Sequence, residues 1–572
     1  MTEAKQRLQA WLADPLIDEA TKEELRNLKD GPDLEDRFFR WLEFGTGGLR
    51  GKMGAGSNRM NIYTVRLVTQ ALADTIKLKG SAKKGVAIAY DSRHRSFEFA
   101  KASAAVLVAN EIPVYVFREL APTPLLSFAV RYFKAAGGIV ITASHNPSEY
   151  NGYKAYNEHG NQLLPKDALT VSSRQAELSF KDVRVSDQPK KSPLWHWVGE
   201  EVIQAYLASL LEIAPNRGPV ETLGVLYTPL HGTGARFVPE ILKKAGFKNV
   251  GTVLEQMAPD GDFPTVKMPN PEDEAAFRLA FARAKKEHFD LIIATDPDAD
   301  RMGIAVNHQK RWVFLNGHQI GLLLLDFILQ HQSAEELEKA VAIKTIVTSE
   351  MVMPIAEKYG IEVENTLTGF KYIGALIDRL AAEGRRFIFG FEESYGYLAG
   401  SAIRDKDAVL AALLTAQAAA FYKNKGHTLV ARWENLMQEH GYYKQGLAYY
   451  SFATSQEAER SQRLLSRLRQ APLEEIGGER VVKVLDYSKN ECYNLLTKER
   501  TAIGLPRENV LQWLTEEKSK ITLRPSGTEP KMKLYVEAVA CDSDKAERRL
   551  QRLKKAFNRL VEAGLAEKTA SL

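Results

Sequence analysis

Four short apolar runs in this chain each end abruptly in a polar segment rich in reactive side chains. That repetition restricts the fold more than any other feature of the sequence. Gly138-Ile139-Val140-Ile141 runs into Thr142-Ala143-Ser144-His145-Asn146-Pro147, and Leu291-Ile292-Ile293-Ala294 leads to Asp296-Pro297-Asp298-Ala299-Asp300-Arg301. Phe387-Ile388-Phe389 precedes Glu392-Glu393-Ser394, and Ile521-Thr522-Leu523 precedes Arg524-Pro525-Ser526-Gly527-Thr528. An unbroken apolar run of this length suits a strand buried on both faces, and α/β enzymes keep their chemistry on the loops at strand ends. The expectation is an α/β fold whose four loops converge on a shared cleft.

Between these runs the alternation of helix and strand continues. Residues 65–72 have helical spacing, Gly85-Val86-Ala87-Ile88-Ala89-Tyr90 reads as a buried strand closing on Asp91-Ser92-Arg93, and Leu223-Gly224-Val225-Leu226-Tyr227 opens another α/β unit. A polar stretch around residues 186–193 marks a linker, and a further unit begins after Gly317. Before all of this, apolar residues Leu8, Trp11, Leu12, Leu25, Leu28, Phe38, Phe39 and Leu42 recur at helical intervals, predicting an N-terminal helical cap. Towards the C-terminus come short strands at 481–485 and 533–539, then a helix with Leu550, Leu553, Phe557, Leu560 and Val561 on one face, so the last unit reads as α+β.

At 572 residues the chain exceeds what one core supports and fits three or four domains. Its net charge of +5 is small beside 77 basic and 72 acidic residues, and no basic run is interleaved with aromatics, which argues against nucleic acid as a partner. Two cysteines, Cys492 and Cys541, fit no zinc spacing and are too few to staple such a chain, consistent with a reducing, cytoplasmic setting. No signal-like segment and no run of about 18 apolar residues is present, so neither export nor membrane insertion is expected.

Alternate carboxylates at 296, 298 and 300 can aim their oxygens at one small hard cation, which suits Mg²⁺. An EF-hand is excluded because Arg301 and Asn307 occupy the positions of its Gly and Glu; a solvated acidic turn is the plainer alternative. Ser144 lacks the flanking glycines of a nucleophile elbow, and alone it reads equally as a turn or capping serine. Phosphorylated, it would supply both metal-binding oxygens and a transferable phosphoryl group. The segment Phe44-Gly45-Thr46-Gly47-Gly48-Leu49-Arg50-Gly51 is neither a Walker A loop nor a dinucleotide fingerprint. It is a tight turn or a place where Arg50 meets a phosphoryl group. Arg524, Ser526, Gly527 and Thr528 form a phosphate-anchoring set, and Glu392 with Ser394 can bond adjacent sugar hydroxyls unless they merely cap a helix.

Taken in order, these segments resemble the α-D-phosphohexomutases, the phosphoglucomutase and phosphomannomutase superfamily, from about Phe44 to the C-terminal helix. The resemblance implies three similar α/β domains and a C-terminal α+β domain around a central cleft. The corresponding divisions are 1–42 for the helical extension, 43–208 for the phosphoserine domain, 209–320 for the metal domain, 321–450 for the sugar domain and 451–572 for the phosphate domain. It further implies that Ser144 is phosphorylated in the resting enzyme and that Asp296, Asp298, Asp300 and a phosphoserine oxygen hold Mg²⁺. Lys154 and Lys406 match general acid or base lysines, which need a lowered pKa to act as bases. Glu392 and Ser394 match the grip on the sugar, Arg524, Ser526, Gly527 and Thr528 the anchor for the idle phosphate, and His145, Arg301 and Arg50 assist charge stabilisation.

The implied reaction interconverts glucose 1-phosphate and glucose 6-phosphate through glucose 1,6-bisphosphate, which also serves as activator. Mannose or pentose phosphates are the alternatives within the same mechanism, and a phosphoserine-dependent sugar phosphatase is the alternative outside it. Glu-Glu-Ser favours glucose, although Phe391 stands where the family usually has Gly directly before its Glu-x-Ser. A monomer or homodimer acting on a sugar phosphate is expected.

Overall fold

Burial on both faces makes the apolar runs interior strands. The computed structural model describes residues 2–45, 47–214, 218–452, 455–525 and 531–566. Its first sheet contains β1 (Gly48–Lys52), β2 (Val86–Tyr90), β3 (Val114–Phe117), β4 (Gly137–Ile141), β5 (Tyr150–Asn157) and β6 (Trp195–Val198), ordered β1-β5-β4-β2-β3-β6. Strands β4, β2, β3 and β6 run parallel; β5 lies antiparallel to β4, and β1, antiparallel to β5, forms that edge. Every residue of β2 and β4 is buried, as expected for strands with helices on both sides. Because Tyr90 pairs with Ile141, Asp91-Ser92-Arg93 and the Ser144 loop leave the sheet side by side. The helix Ile62–Leu78 begins where Asn61 caps the N–H groups of Tyr63 and Thr64 while Thr64 Oγ1 caps Asn61, so its start is fixed locally.

A second sheet comprises β7 (Gly224–Thr228), β8 (Asn249–Thr252), β9 (Leu291–Thr295), β10 (Met302–His308) and β11 (Arg311–Leu315), ordered β11-β10-β9-β7-β8. β9 is wholly buried, and the aspartate loop turns it directly into antiparallel β10, with Thr295 opposite Met302. Four more strands follow: β12 (Ala340–Thr345), β13 (Glu362–Thr366), β14 (Arg386–Glu392) and β15 (Gly396–Ala399). β14 and β15 form a hairpin with Glu392 opposite Gly396. Phe391 enters that strand without a bulge: its ring lies over Gly321, where a Cβ would come within 2.1 Å of it.

The chain clusters into two compact units, one of residues up to Ile343 with Gly369–Val430, the other of Lys344–Thr368 with the residues from Ala431 on. The N-terminal helices Glu3–Ala13, Glu19–Arg26 and Pro32–Phe38 belong to the first unit and pack on the first α/β layer. Trp11 meets Phe38, Tyr63 and Phe180 edge-on at 5.8, 5.7 and 5.4 Å, and Tyr63 Oη donates to Asp18 Oδ2 at 2.5 Å. They are therefore an intramolecular brace on the helix Ile62–Leu78.

In the second unit an antiparallel sheet contains β16 (Tyr442–Ser451), β17 (Glu475–Ile476), β18 (Glu479–Asp486), β19 (Glu491–Asn494), β20 (Arg500–Ala502), β21 (Leu511–Thr515), β22 (Lys520–Pro525) and β23 (Lys531–Ala540). Its order is β16-β23-β22-β21-β18-β19-β20, with β17 on β18. The predicted helical face is realised: Leu550, Leu553, Phe557 and Val561 bury against Trp513, Ile521 and Leu523. Lys344, at the end of β12, is fully buried; its Nζ lies 2.8 Å from Glu350 Oε1, and Lys520 Nζ approaches the same oxygen at 2.6 Å. Burial pushes the Lys344 ammonium down to about 8 despite Glu350. No helix among the described residues is long and apolar enough to cross a membrane. Cys492 is half-buried and Cys541 exposed, both as free thiols.

Two outcomes follow from these contacts. Replacing Trp11 with Ala removes an aromatic hub and should cost about 3–5 kcal/mol locally, seen as faster amide exchange in residues 3–38. Lys344 titrates lower folded than unfolded, so the unfolded chain holds more protons and stability should rise between about pH 8 and 10.5. Lys344→Met should flatten that rise in denaturant melts. Glu350→Gln, which removes the carboxylate charge that the buried Lys344 and Lys520 ammonium groups share, should cost about 3 kcal/mol; an unchanged midpoint would refute the ion-pair account.

Candidate active site

The ends of β4, β9 and β14 bring their loops together within the first unit. Ser144 follows β4 in a left-handed conformation (φ +51°), which a serine adopts only under local constraint. Thr142 Oγ1 accepts from the Ser144 N–H at 2.8 Å, and the Ser144 hydroxyl donates to Asp296 Oδ2 at 2.5 Å, with His145 Nδ1 at 3.2 Å. The serine expected to be phosphorylated thus sits against the expected metal loop, 152 residues away in sequence.

The aspartate loop is built to crowd charge. Its turn is left-handed at Ala299 (φ +49°), and Asp296 Oδ1 accepts from the N–H groups of Asp300 and Arg301 at 3.1 and 2.9 Å. Oxygens of Asp296, Asp298 and Asp300 lie within 4.8 Å of one another, all buried. Lys154 Nζ bridges Asp298 Oδ2 (2.7 Å) and Asp300 Oδ2 (2.9 Å), and Lys406 Nζ also reaches Asp300 Oδ2 (2.9 Å). Asp298 Oδ1 and Asp300 Oδ1 are buried without a hydrogen-bond partner. Buried carboxylate oxygens left unpaired among three carboxylates are the donor set a hard dication takes, so the residues fit a divalent-metal site.

Protonation follows from this crowding. Burial and the charges of Asp298 and Asp300 push Asp296 well above the usual carboxylate range. For Asp300, burial acts upward, but Lys154, Lys406 and Arg301 hold its carboxyl well below that range. Burial acts against the Lys154 and Lys406 ammonium groups, yet the neighbouring aspartates outweigh it and hold both above the usual lysine value. Neither lysine is therefore depressed while it serves as counter-charge to these carboxylates. Burial, then the charges of Arg301 and Arg50, pushes His145 well below its ordinary value, leaving the imidazole neutral at pH 7.

Glu392 is buried at the end of β14, and its Oε1 accepts from the Gly369 N–H at 2.8 Å. Burial pushes its carboxyl up to about 7, with Lys406 pulling the other way. Ser394 is half-buried in the turn that follows. Arg301 pairs through Nη1 with Glu272 Oε1, and its Nε stands 4.0 Å from Asp300 Oδ1. Arg50, exposed on β1, donates to Asn146 Oδ1 at 3.1 Å and so flanks the serine loop. Arg524 lies in the second unit on β22 and pairs with Glu508 at 2.9 Å. Ser526, Gly527 and Thr528 lie outside the described residues.

Several participants escaped the sequence reading. Thr123, at the start of the helix Thr123–Tyr132, donates its hydroxyl to Asp298 Oδ2 at 2.8 Å and its N–H to the Asp298 carbonyl at 2.9 Å. Asp405 accepts from Tyr156 Oη at 2.8 Å and stands 3.6 Å from Lys406 Nζ, anchoring that lysine from behind. Gly396 lets Lys406 pass, since a Cβ there would lie 2.4 Å from the lysine Cδ. Glu272 fixes Arg301, and Arg93 grips the carbonyls of the serine loop. Only Arg93 carried a signal, its place at the end of a buried strand; the others are single residues in ordinary surroundings.

Comparison with known proteins points in one direction. Residues 42–182, 204–310 and 316–440 match the models for phosphoglucomutase/phosphomannomutase alpha/beta/alpha domains I, II and III. A phosphoglucomutase of Staphylococcus epidermidis is 36% identical over 530 residues, covering 92% of this chain and 96% of the relative. One of Staphylococcus aureus is 38% identical over 516 residues, covering 89% and 91%. Among solved structures, a phosphoglucomutase/phosphomannomutase family protein of Burkholderia thailandensis superposes with a TM-score of 0.69 at 17% identity, covering 92% of this chain and 98% of that one. Parafusin, a Paramecium phosphoglucomutase, does so with 0.66 at 18%, covering 92% and 96%. With three α/β/α domains, a β-rich C-terminal domain and near-full-length relatives, the chain belongs to the phosphoglucomutase/phosphomannomutase family.

Proposed function

We propose that this chain is a phosphoglucomutase, interconverting glucose 1-phosphate and glucose 6-phosphate through a phosphoserine at Ser144. The observation that carries the reading is the Ser144 hydroxyl held 2.5 Å from Asp296 on a loop of three buried carboxylates, with two lysines from other elements paired to that loop. The names of the staphylococcal relatives support the substrate. In the forward half-reaction the free sugar hydroxyl attacks the phosphorus of phosphorylated Ser144. The new sugar O–P bond forms as the serine O–P bond breaks, and the hydroxyl proton ends on the Ser144 side, giving glucose 1,6-bisphosphate and free Ser144. Reversed on the other phosphate, the same exchange restores the phosphoserine.

Each residue has a part in this reading. Asp296, Asp298 and Asp300 would hold Mg²⁺, which when bound would neutralise charge on the transferring group. Lys154 and Lys406 move the hydroxyl proton; their ion pairs keep both charged until the carboxylates are engaged elsewhere. Glu392 and Ser394 hold the sugar hydroxyls, while Arg50, His145 and Arg301 face the phosphoryl oxygens. Arg524, Ser526, Gly527 and Thr528 anchor the other phosphate. The helices of residues 1–42 brace the domain of 43–208, followed by the metal domain at 209–320, the sugar domain at 321–450 and the phosphate domain at 451–572. Two free thiols accord with a cytoplasmic setting.

The test is isomerisation of glucose 1-phosphate with Mg²⁺, with and without catalytic glucose 1,6-bisphosphate, set beside mannose 1-phosphate and ribose 1-phosphate while free phosphate is followed. Activation by the bisphosphate, preference for glucose and little phosphate release are expected. Preference for another sugar would overturn the substrate, and phosphate release without isomer would overturn the mutase reading. Ser144→Ala should lower kcat by at least about 10³-fold. Because burial pushes the Glu392 carboxyl up to about 7 and the ionised carboxylate is the stronger acceptor for sugar hydroxyls, kcat/KM should fall as pH drops through about 7. Glu392→Gln should remove that limb of the profile.

A further inference from the structure

We infer that Arg93 is the positioning residue that sets the path of the Ser144 loop. The proposal rests on the reading of Ser144 as the phosphoryl carrier. Arg93 follows β2 at the same sheet edge from which the serine loop departs, and its side chain is fully buried. Its Nη2 donates to the carbonyls of Ser144, at 2.5 Å, and Asn146; Nη1 donates to those of Pro147 at 2.8 Å and Tyr150 at 3.0 Å. One planar group thus ties four carbonyls of the loop together, a use of the guanidinium fork that a point-charge ammonium cannot copy.

The guanidinium is itself held in place. Asp91 Oδ2 stands 3.5 Å from Nε, and Asp91 Oδ1 is fixed by the Arg93 N–H at 2.9 Å and the Ser96 hydroxyl at 2.7 Å. The Phe263 ring lies 4.9 Å from Cζ, and Phe263 comes from the loop before the Glu272 segment. Gly261 of that loop is pressed so close that a Cβ would meet the His94 nitrogen at 2.6 Å. Arg93 therefore ties the serine loop to the domain that carries the aspartates. Ser144 is left-handed with its N–H held by Thr142 and its carbonyl by Arg93, so release of the carbonyl lets the hydroxyl leave its 2.5 Å contact with Asp296.

The experiment compares full-length wild type, Arg93→Ala, Arg93→Lys and Ser144→Ala. It measures kcat and KM for glucose 1-phosphate, the rate of Ser144 phosphorylation by glucose 1,6-bisphosphate by mass spectrometry, and melting temperature. Displacement of the serine by an ångström should lower kcat and the phosphorylation rate about 10²-fold with KM within about threefold. Millimolar guanidinium chloride should recover about tenfold of the loss in Arg93→Ala, with Arg93→Lys intermediate and not rescued. If Arg93→Ala does not fold, Arg93→Lys alone decides by its split between kcat and KM. Wild-type kcat in Arg93→Lys beside an inactive Ser144→Ala would overturn this proposal alone, as would a loss that tracks the unfolded fraction without rescue. Activity surviving in Ser144→Ala would overturn the Ser144 reading, and this one with it.

Discussion

Three carboxylates buried within 4.8 Å of each other repel strongly where water cannot screen them, and the surrounding structure is organised to offset that repulsion. Counter-charge and hydrogen bonds arrive from separate segments: Lys154 from β5, Lys406 from beyond β15, and Thr123 from a helix start. None of these is near residues 296–300 in sequence. The aspartate loop is thus a node through which the layers of the first unit are joined, and its charge state depends on tertiary packing. The same constraint explains why both lysines are held above their ordinary values and why carboxylates a few residues apart are driven in opposite directions.

The loops meeting there share a device. Ser144, Ala299 and Tyr395, one in each loop, are non-glycine residues at positive φ, a conformation that costs on the order of 1–3 kcal/mol and persists only when its surroundings over-determine it. Thr142 and Arg93 hold the first, the Asp296 carboxylate the second, and the Tyr395 carbonyl accepts from the Met302 N–H at 3.1 Å in the third. The backbone under these side chains is thereby held by hydrogen bonds of its own, in addition to the contacts the side chains make with one another. A phosphoryl-transfer site, whose work is chiefly positioning and electrostatic stabilisation, needs that kind of rigidity.

Much of this was legible beforehand. The runs at 138–141 and 291–294 are buried strands, the helical face at Leu550 to Val561 covers the C-terminal sheet, and Ser144 meets the aspartates. These were readable because burial on both faces leaves an uninterrupted apolar signature, and because carboxylates on alternate residues of one loop are a local pattern. The N-terminal spacing predicted helices, but what they pack on was not in their own sequence; Tyr63 and Phe180 supply that answer.

The sequence alone determined the apolar strands that lead into the loops, their order along the chain and the residue types offered at each loop, since these follow from hydrophobic periodicity and chemistry within a few residues. Tertiary structure decided which cations neutralise which carboxylates, that Glu392 titrates near 7, and that Arg93, Thr123, Asp405 and Gly396 matter at all. Those outcomes rest on Coulomb interactions, burial and close contact between residues tens to hundreds of positions apart. Such quantities are set by distance in space, and distance in space is fixed only once the layers have packed.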